Sequence, residues 1–305
     1  MTKLVSHSIR CLAALVLVAF ALAEPASANH DEQTYGVEAA KRVQRLVREM
    51  PTQTQVMSTA TLLLALGIEP EESLKSLADS RDYFLGVLTG IRDGNPELGV
   101  VKETHEEVLE ALAEVEESWV PFGNIVEGIL ETKQATAENV KEMARLNVSL
   151  LGVTEEVVEA FEEAYLEGRI ASILLPMTEV AERQTLLIQK MAKEFFLVAH
   201  GQDAVVGRRS LGRTIKAFDR ILSALISGEK SLRIYERDIM VVPPPTREIE
   251  AQLSRVKQIW DEVRPILKSA GQGTKPSVED ITQVAELVEP LYEEMESAAD
   301  LYEDL

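Results

Sequence analysis

The chain has 305 residues, 31 Lys and Arg against 51 Asp and Glu, and a formal net charge of −20. So acidic a surface repels phosphate backbones and anionic lipid heads, which excludes nucleic-acid binding and electrostatic adsorption to membranes. The one cysteine, Cys11, lies in the first segment, so a chain without that segment has no disulfide, thiolate metal site or cysteine nucleophile.

Residues 1–28 read as a secretory signal: Lys3 and Arg10 are basic, Leu12 to Leu22 is an apolar run, and Ala26-Ser27-Ala28 is a small-residue cleavage site. The run is about half of the ~20 residues that a spanning helix needs. An uncleaved N-terminal anchor is the alternative; Glu24 and Pro25, which end the run, favour the signal. The expectation is export to a bacterial periplasm, leaving 277 residues with a formal charge of −21 and no membrane span.

From there the chain reads as helix after helix. Tyr35–Leu66 is long and apolar-periodic, with Pro51 inside it predicting a kink or break near Met50. Gly67 is a C-cap. Pro70, Glu71 and Glu72 open the next helix, which stops at Asp93-Gly94-Asn95-Pro96. A third runs from about Glu103 to Thr132, with Leu109, Leu112, Val115 and Trp119 on one face. Thr136 caps a fourth, with Val140, Met143, Leu146 and Leu150 inward, continuing through Phe161 and Tyr165. Ile173–His200 and the Asp203 to Gly228 stretch follow. Pro243-Pro244-Pro245 then make a stiff loop, with a polyproline recognition epitope as the lesser reading. Thr246–Ala270 and a helix capped by Ser277 complete the chain. No stretch alternates as strands do.

This order repeats. Thr54–Gly94 aligns with Ile188–Gly228 at an offset of 134, pairing Gln55 with Gln189, Gly67 with Gly201 and Phe84 with Phe218. After a seven-residue insertion the offset becomes 141 and pairs the two tryptophans, Trp119 and Trp260. The expected fold is all-α: two tandem antiparallel four-helix bundles, residues 29–170 and 171–305, either separate or joined by a long shared helix through residues 153–169.

The first helix of the second copy is the most legible text. Ala181-Glu182-Arg183-Gln184-Thr185-Leu186-Leu187-Ile188-Gln189-Lys190-Met191 resembles the first helix of the PilJ-type domain. Type IV pilus methyl-accepting transducers and NarX-like nitrate/nitrite kinases share this sensor region, which typically reads Ala-Gly-Arg-Gln-Arg-Met-Leu-Ser-Gln-Arg-Met there. The first copy keeps Gln55, Met57, Leu62 to Ile68, Phe84 and Trp119-Val120-Pro121-Phe122. The resemblance implies a periplasmic, often dimeric bundle that senses a small ligand or the state of another protein. The arginine with which NarX-like members hold the anion falls on Thr185 in one copy and Pro51 in the other. Neither side chain can make a charge-assisted bidentate contact, so nitrate sensing is not expected. Arg183, Gln184, Gln189 and Lys190, with Gln55 of the first copy, are the candidate ligand contacts; for Arg183 and Lys190, surface cations paired with local glutamates are the simpler reading.

Nothing in the sequence forms a catalytic centre. The histidines beyond residue 28, His30, His105 and His200, stand in no Glu-x-x-His or His-Glu-x-x-His pattern, and no phosphate-binding or nucleophile-elbow motif occurs. No cofactor or metal is expected. The sequence thus predicts a soluble periplasmic sensor-like binding protein that recognises a small ligand or an envelope partner and acts without catalysis. The alternative is a structural or interaction module that docks through amphipathic helices. With no output region expected after the second copy, the chain is expected to bind something, scavenge something or act through a partner protein.

Overall fold

A computed structural model describes residues 37–165, 175–201, 204–234 and 237–305; the expected signal at residues 1–28 lies outside them. Among the described residues there are eight helices: α1 (Val37–Leu66), α2 (Pro70–Asp93), α3 (Glu106–Thr132), α4 (Ala137–Tyr165), α5 (Leu175–His200), α6 (Ala204–Ser227), α7 (Arg247–Gly271) and α8 (Val278–Glu303). The fold is all-α, with one small hairpin of β1 (Glu229–Ile234) and β2 (Arg237–Val241).

Local chemistry sets the helix ends. Gly67 takes φ 73°, which lets the Ile68 amide reach back to the Leu63 carbonyl at 2.9 Å and close α1 in a Schellman turn. Pro70 begins α2, with Glu71 and Glu72 facing the positive end of its dipole. Thr136 and Asn139 cap α4 reciprocally. Thr246 accepts from the Ile249 amide at α7, and Ser277 with Asp280 forms a capping box at α8. Gly201 and Gly228 repeat the positive φ of Gly67 and Gly94. At Gly228 a Cβ would come within 2.9 Å of Pro243, so only glycine fits.

Helices α1–α4 form one bundle, with α1 packed on α2 and α4, and α3 on α4 and α2; α5–α8 form another on the same plan. Each bundle has its own apolar core. Phe84, Phe122 and Phe161 lie in the first; Phe195, Phe218, Trp260 and Tyr292 lie in the second. The bundles join along α1 and α5, which pack directly on one another. Leu62 and Leu63 of α1 and Val140 of α4 reach across into the second core. How α4 leads to α5 falls on residues outside those described.

One expectation is narrowed and another corrected. Of the kink or break expected near Met50, the break is absent: α1 continues as one helix through Pro51. A proline inside a helix costs about 3 kcal/mol or more, and here neighbours enclosing α1 on every side hold the helix through that point. The insertion before α7 is not a simple loop but an antiparallel hairpin, pairing Leu232 with Ile239 and Glu229 with Val241. Leu232, Ile239 and Val241 are buried in the second core, so apolar burial and a paired backbone replace the expected irregular connection.

A polar seam between the bundles as the candidate functional site

From Pro51 to Ile68 the sequence carries no charge, and every residue from Met50 to Leu63 is buried. A helix with no charged face is one enclosed on all sides. Yet this stretch contains Thr52, Gln53, Thr54, Gln55, Ser58, Thr59 and Thr61, so α1 brings a dense polar stripe into the junction. Part of it is satisfied internally. The Thr54 hydroxyl donates to the Pro51 carbonyl at 2.7 Å, the Gln55 amide to the Thr54 hydroxyl at 2.7 Å, and Ser58 to the Thr54 carbonyl at 3.0 Å. Three atoms are not: Gln55 Oε1, Thr59 Oγ1 and Thr61 Oγ1 have no hydrogen-bond partner. Each orphaned buried polar atom costs about 1–3 kcal/mol.

Across the seam, Asn147 of α4 donates to the Thr54 carbonyl at 3.0 Å and accepts from Lys193 Nζ of α5 at 2.7 Å. Burial pushes the Lys193 amine down to about 8, with Lys190 adding to the effect and Glu194 opposing it. Towards the start of the two helices, Arg48 bridges Glu162 of α4 at 2.7 Å and Glu182 of α5. Burial disfavours its charge, but Glu182, Glu162 and Glu179 outweigh that and keep it protonated. This ion pair borders a cleft lined by Arg45, Arg48, Glu155, Glu162, Glu182 and Thr185, among others.

Between α1 and α8, next to this first cleft, carboxylates gather. Glu49 of α1 lies against Tyr292 of α8, whose hydroxyl is 3.5 Å from Glu49 Oε2. Burial, then Glu296 and Glu182, push the Glu49 carboxyl up to about 8, against hydrogen bonds from Gln53 and Tyr292. One helical step along α8, burial, Glu293 and Glu296 hold Glu289 up at about 7. A second cleft opens there. Val56, Thr59, Ala60 and Leu63 of α1 line it together with Glu72, Ser73 and Ser76 of α2, Gln189 and Phe196 of α5, and Ala285, Val288 and Glu289 of α8.

The five sequence candidates do not converge on one pocket. Arg183 turns to α4, 4.0 Å from Glu155, and lines the first cleft. Gln184 is fully buried and donates to the Phe218 carbonyl on α6 at 3.2 Å. Gln55 lies inside α1's own polar stripe. Lys190 is partly exposed and lines neither cleft. Gln189 alone lines the second cleft, at 2% exposure. Sequence reasoning missed Thr59, Glu72, Ser73, Ser76 and Glu289; the charge-free, polar-rich run from Pro51 to Ile68 was the available signal. Among the described residues no group of three or more His, Cys, Asp or Glu is placed to hold a metal ion. No described helix is long and apolar enough to cross a membrane.

Residues 179–287, from α5 into α8, match the PilJ family, the N-terminal region of type IV pili methyl-accepting chemotaxis transducers. That family is sensory rather than catalytic, and the match supports the resemblance for the second bundle; it does not extend to α1–α4. No curated protein and no solved structure matches the chain.

Proposed function

We propose that the protein is a periplasmic binding protein of the chemotaxis-input type, recognising a small molecule at the seam of α1 and α5 without converting it. In this reading α1–α4 is a second, diverged PilJ-type bundle. The shared packing plan of the two halves and their matched positive-φ glycines support it. The carrying observation is Thr59 Oγ1, a buried polar atom of α1 without a hydrogen-bond partner that lines the cleft shared with Gln189 and Phe196 of α5. Native proteins rarely leave such a group unpaired in a packed interior, and a ligand donor in the cleft would satisfy it.

A thermal-shift screen of the chain from residue 29 with anions, amino acids, amines and quinones tests this. A binder present at 100 times its Kd stabilises the native state by about 2.7 kcal/mol, which raises the melting temperature. A flat response across every class contradicts the reading. It would favour the docking module instead, for which Val205, Val206 and Val278, exposed apolar residues at the starts of α6 and α8, are the available surface.

A further inference from the structure

The cleft between α2 and α8 has a floor from α1 and an end wall from α5, and its composition is selective. Its body is apolar: Val56, Leu63, Phe196, Ala285 and Val288. Its polar groups are hydroxyls, one amide and two carboxylates. Glu72 stands on one wall and Glu289 on the other, and no Lys, Arg or His lines it. Thr59, 7% exposed, lines the floor with its hydroxyl unpartnered. In a helix a threonine hydroxyl ordinarily bonds back to a carbonyl one turn earlier, as Thr89 does to Leu85 at 2.7 Å. An anion here would meet two carboxylates and no counter-charge. A neutral apolar molecule would leave Thr59 and both carboxylates unsatisfied.

We propose that this cleft binds a small organic cation, a primary or secondary amine on a short apolar body, with its ammonium against Glu289 and Glu72 and its body against Val56, Leu63 and Phe196. This rests on the reading of the chain as a binding protein. The ammonium supplies the positive partner that the cleft lacks, and the apolar body covers surface shared by both bundles, so binding ties α2 and α8 together. Glu289 faces Glu293 and Glu296 on its own helix, and Glu72 of α2 lines the same cleft. A bound cation favours its charged form, so binding near neutral pH releases a proton.

The test is isothermal titration of the chain from residue 29 at pH 7 with 1,5-diaminopentane and with benzylamine, run in phosphate and in MOPS. Benzoate and glutarate are the anionic controls. Amine binding is expected, with a measured heat that differs between the buffers as the released proton is taken up. Glu289→Gln should weaken it at least tenfold and abolish the buffer dependence. Thr59→Val should weaken it without changing the proton count, and Glu182→Gln, in the other cleft, should leave it unchanged. Circular dichroism checks that each variant is folded. If benzoate or glutarate binds while the amines do not, the cationic class is wrong and the binding-protein reading stands. If Glu182→Gln abolishes amine binding and Glu289→Gln does not, the assigned cleft is wrong. If neither the amines nor the acids bind, the cationic cleft is wrong, and a thermal-shift screen that is flat as well takes the broader reading with it.

Discussion

The indole of Trp119 stacks on the ring of Phe84 at 4.8 Å, and in the other bundle Trp260 meets Phe218 at 4.5 Å. The two contacts differ in setting. Trp260 is 2% exposed and donates through Nε1 to Asp219 at 2.9 Å, a carboxylate that Arg264 also holds. Trp119 is half-buried and has glycine, Gly123, beside it. Trp260→Ala should therefore cost about 3–5 kcal/mol, the usual range for emptying a buried aromatic site. Trp119→Ala should cost clearly less. Urea unfolding followed by far-ultraviolet circular dichroism measures both, and equal costs would contradict the burial difference.

Gly123→Ala offers a sharper check. In an open helix the change stabilises by about 1 kcal/mol. Here the new methyl would lie 2.7 Å from Trp119 Cε2 and 2.8 Å from its Nε1, so the indole must move off Phe84. The expected result is a net loss of stability with a shifted tryptophan emission. Emission unchanged from the parent would show that the indole is not held there.

Arg48 holds α4 and α5 to α1. Its side chain is 13% exposed, between Glu162 and Glu182 at 15% and 21%. Removing one partner of a buried ion pair leaves charge uncompensated and typically costs 3–5 kcal/mol. Arg48→Met should cost about 3 kcal/mol, and the double change with Glu182→Gln should recover part of that. A double-mutant cycle in urea measures the coupling.

The acidic groups between α1 and α8 set an unusual pH dependence. Glu49 and Glu289 have folded-state values raised to about 8 and about 7, above the unfolded carboxyl value of 4.5. The folded state binds more protons than the unfolded state across that interval, so stability falls as pH rises from about 4.5 to 8. Asp93, lowered by Arg92, works in the opposite sense but in a more acidic range. The melting temperature should drop between pH 5.5 and 8.5, and Glu49→Gln should flatten the profile and raise stability at pH 8.5. A melting temperature that rises over this range would show that the carboxylates are solvated.

The helices were legible because their boundaries are local chemistry. Pro70, Thr136, Thr246 and Ser277 each act on amides within a turn, and Gly67 and Gly228 can take conformations closed to other residues. The break expected at Pro51 does not occur because a proline's cost is local while the packing that offsets it comes from elsewhere in the chain. The hairpin was missed because its inward alternation is too short to stand out before register is known. The candidate site was barely legible. Thr59, Ser73, Gln189 and Glu289 meet from four helices, and nothing in the spacing of one helix says which side chains another will bring to it. Gln184 shows the converse: its place in a recognisable helix pointed to a ligand, and its amide nitrogen donates to the Phe218 carbonyl, while its Oε1 has no partner and lines neither cleft.

Hydrogen exchange of the intact chain, read by mass spectrometry, tests most directly whether α1 and α5 are a common spine on which both bundles depend. The expected result is that amides of Thr52–Leu63 and Thr185–Phe196 exchange slowest and lose protection together as urea is added. If α1 exchanges as fast as α3, or the α1–α4 and α5–α8 segments open in separate steps with α5 still protected, the two halves are independent bundles and the seam is not the organising feature.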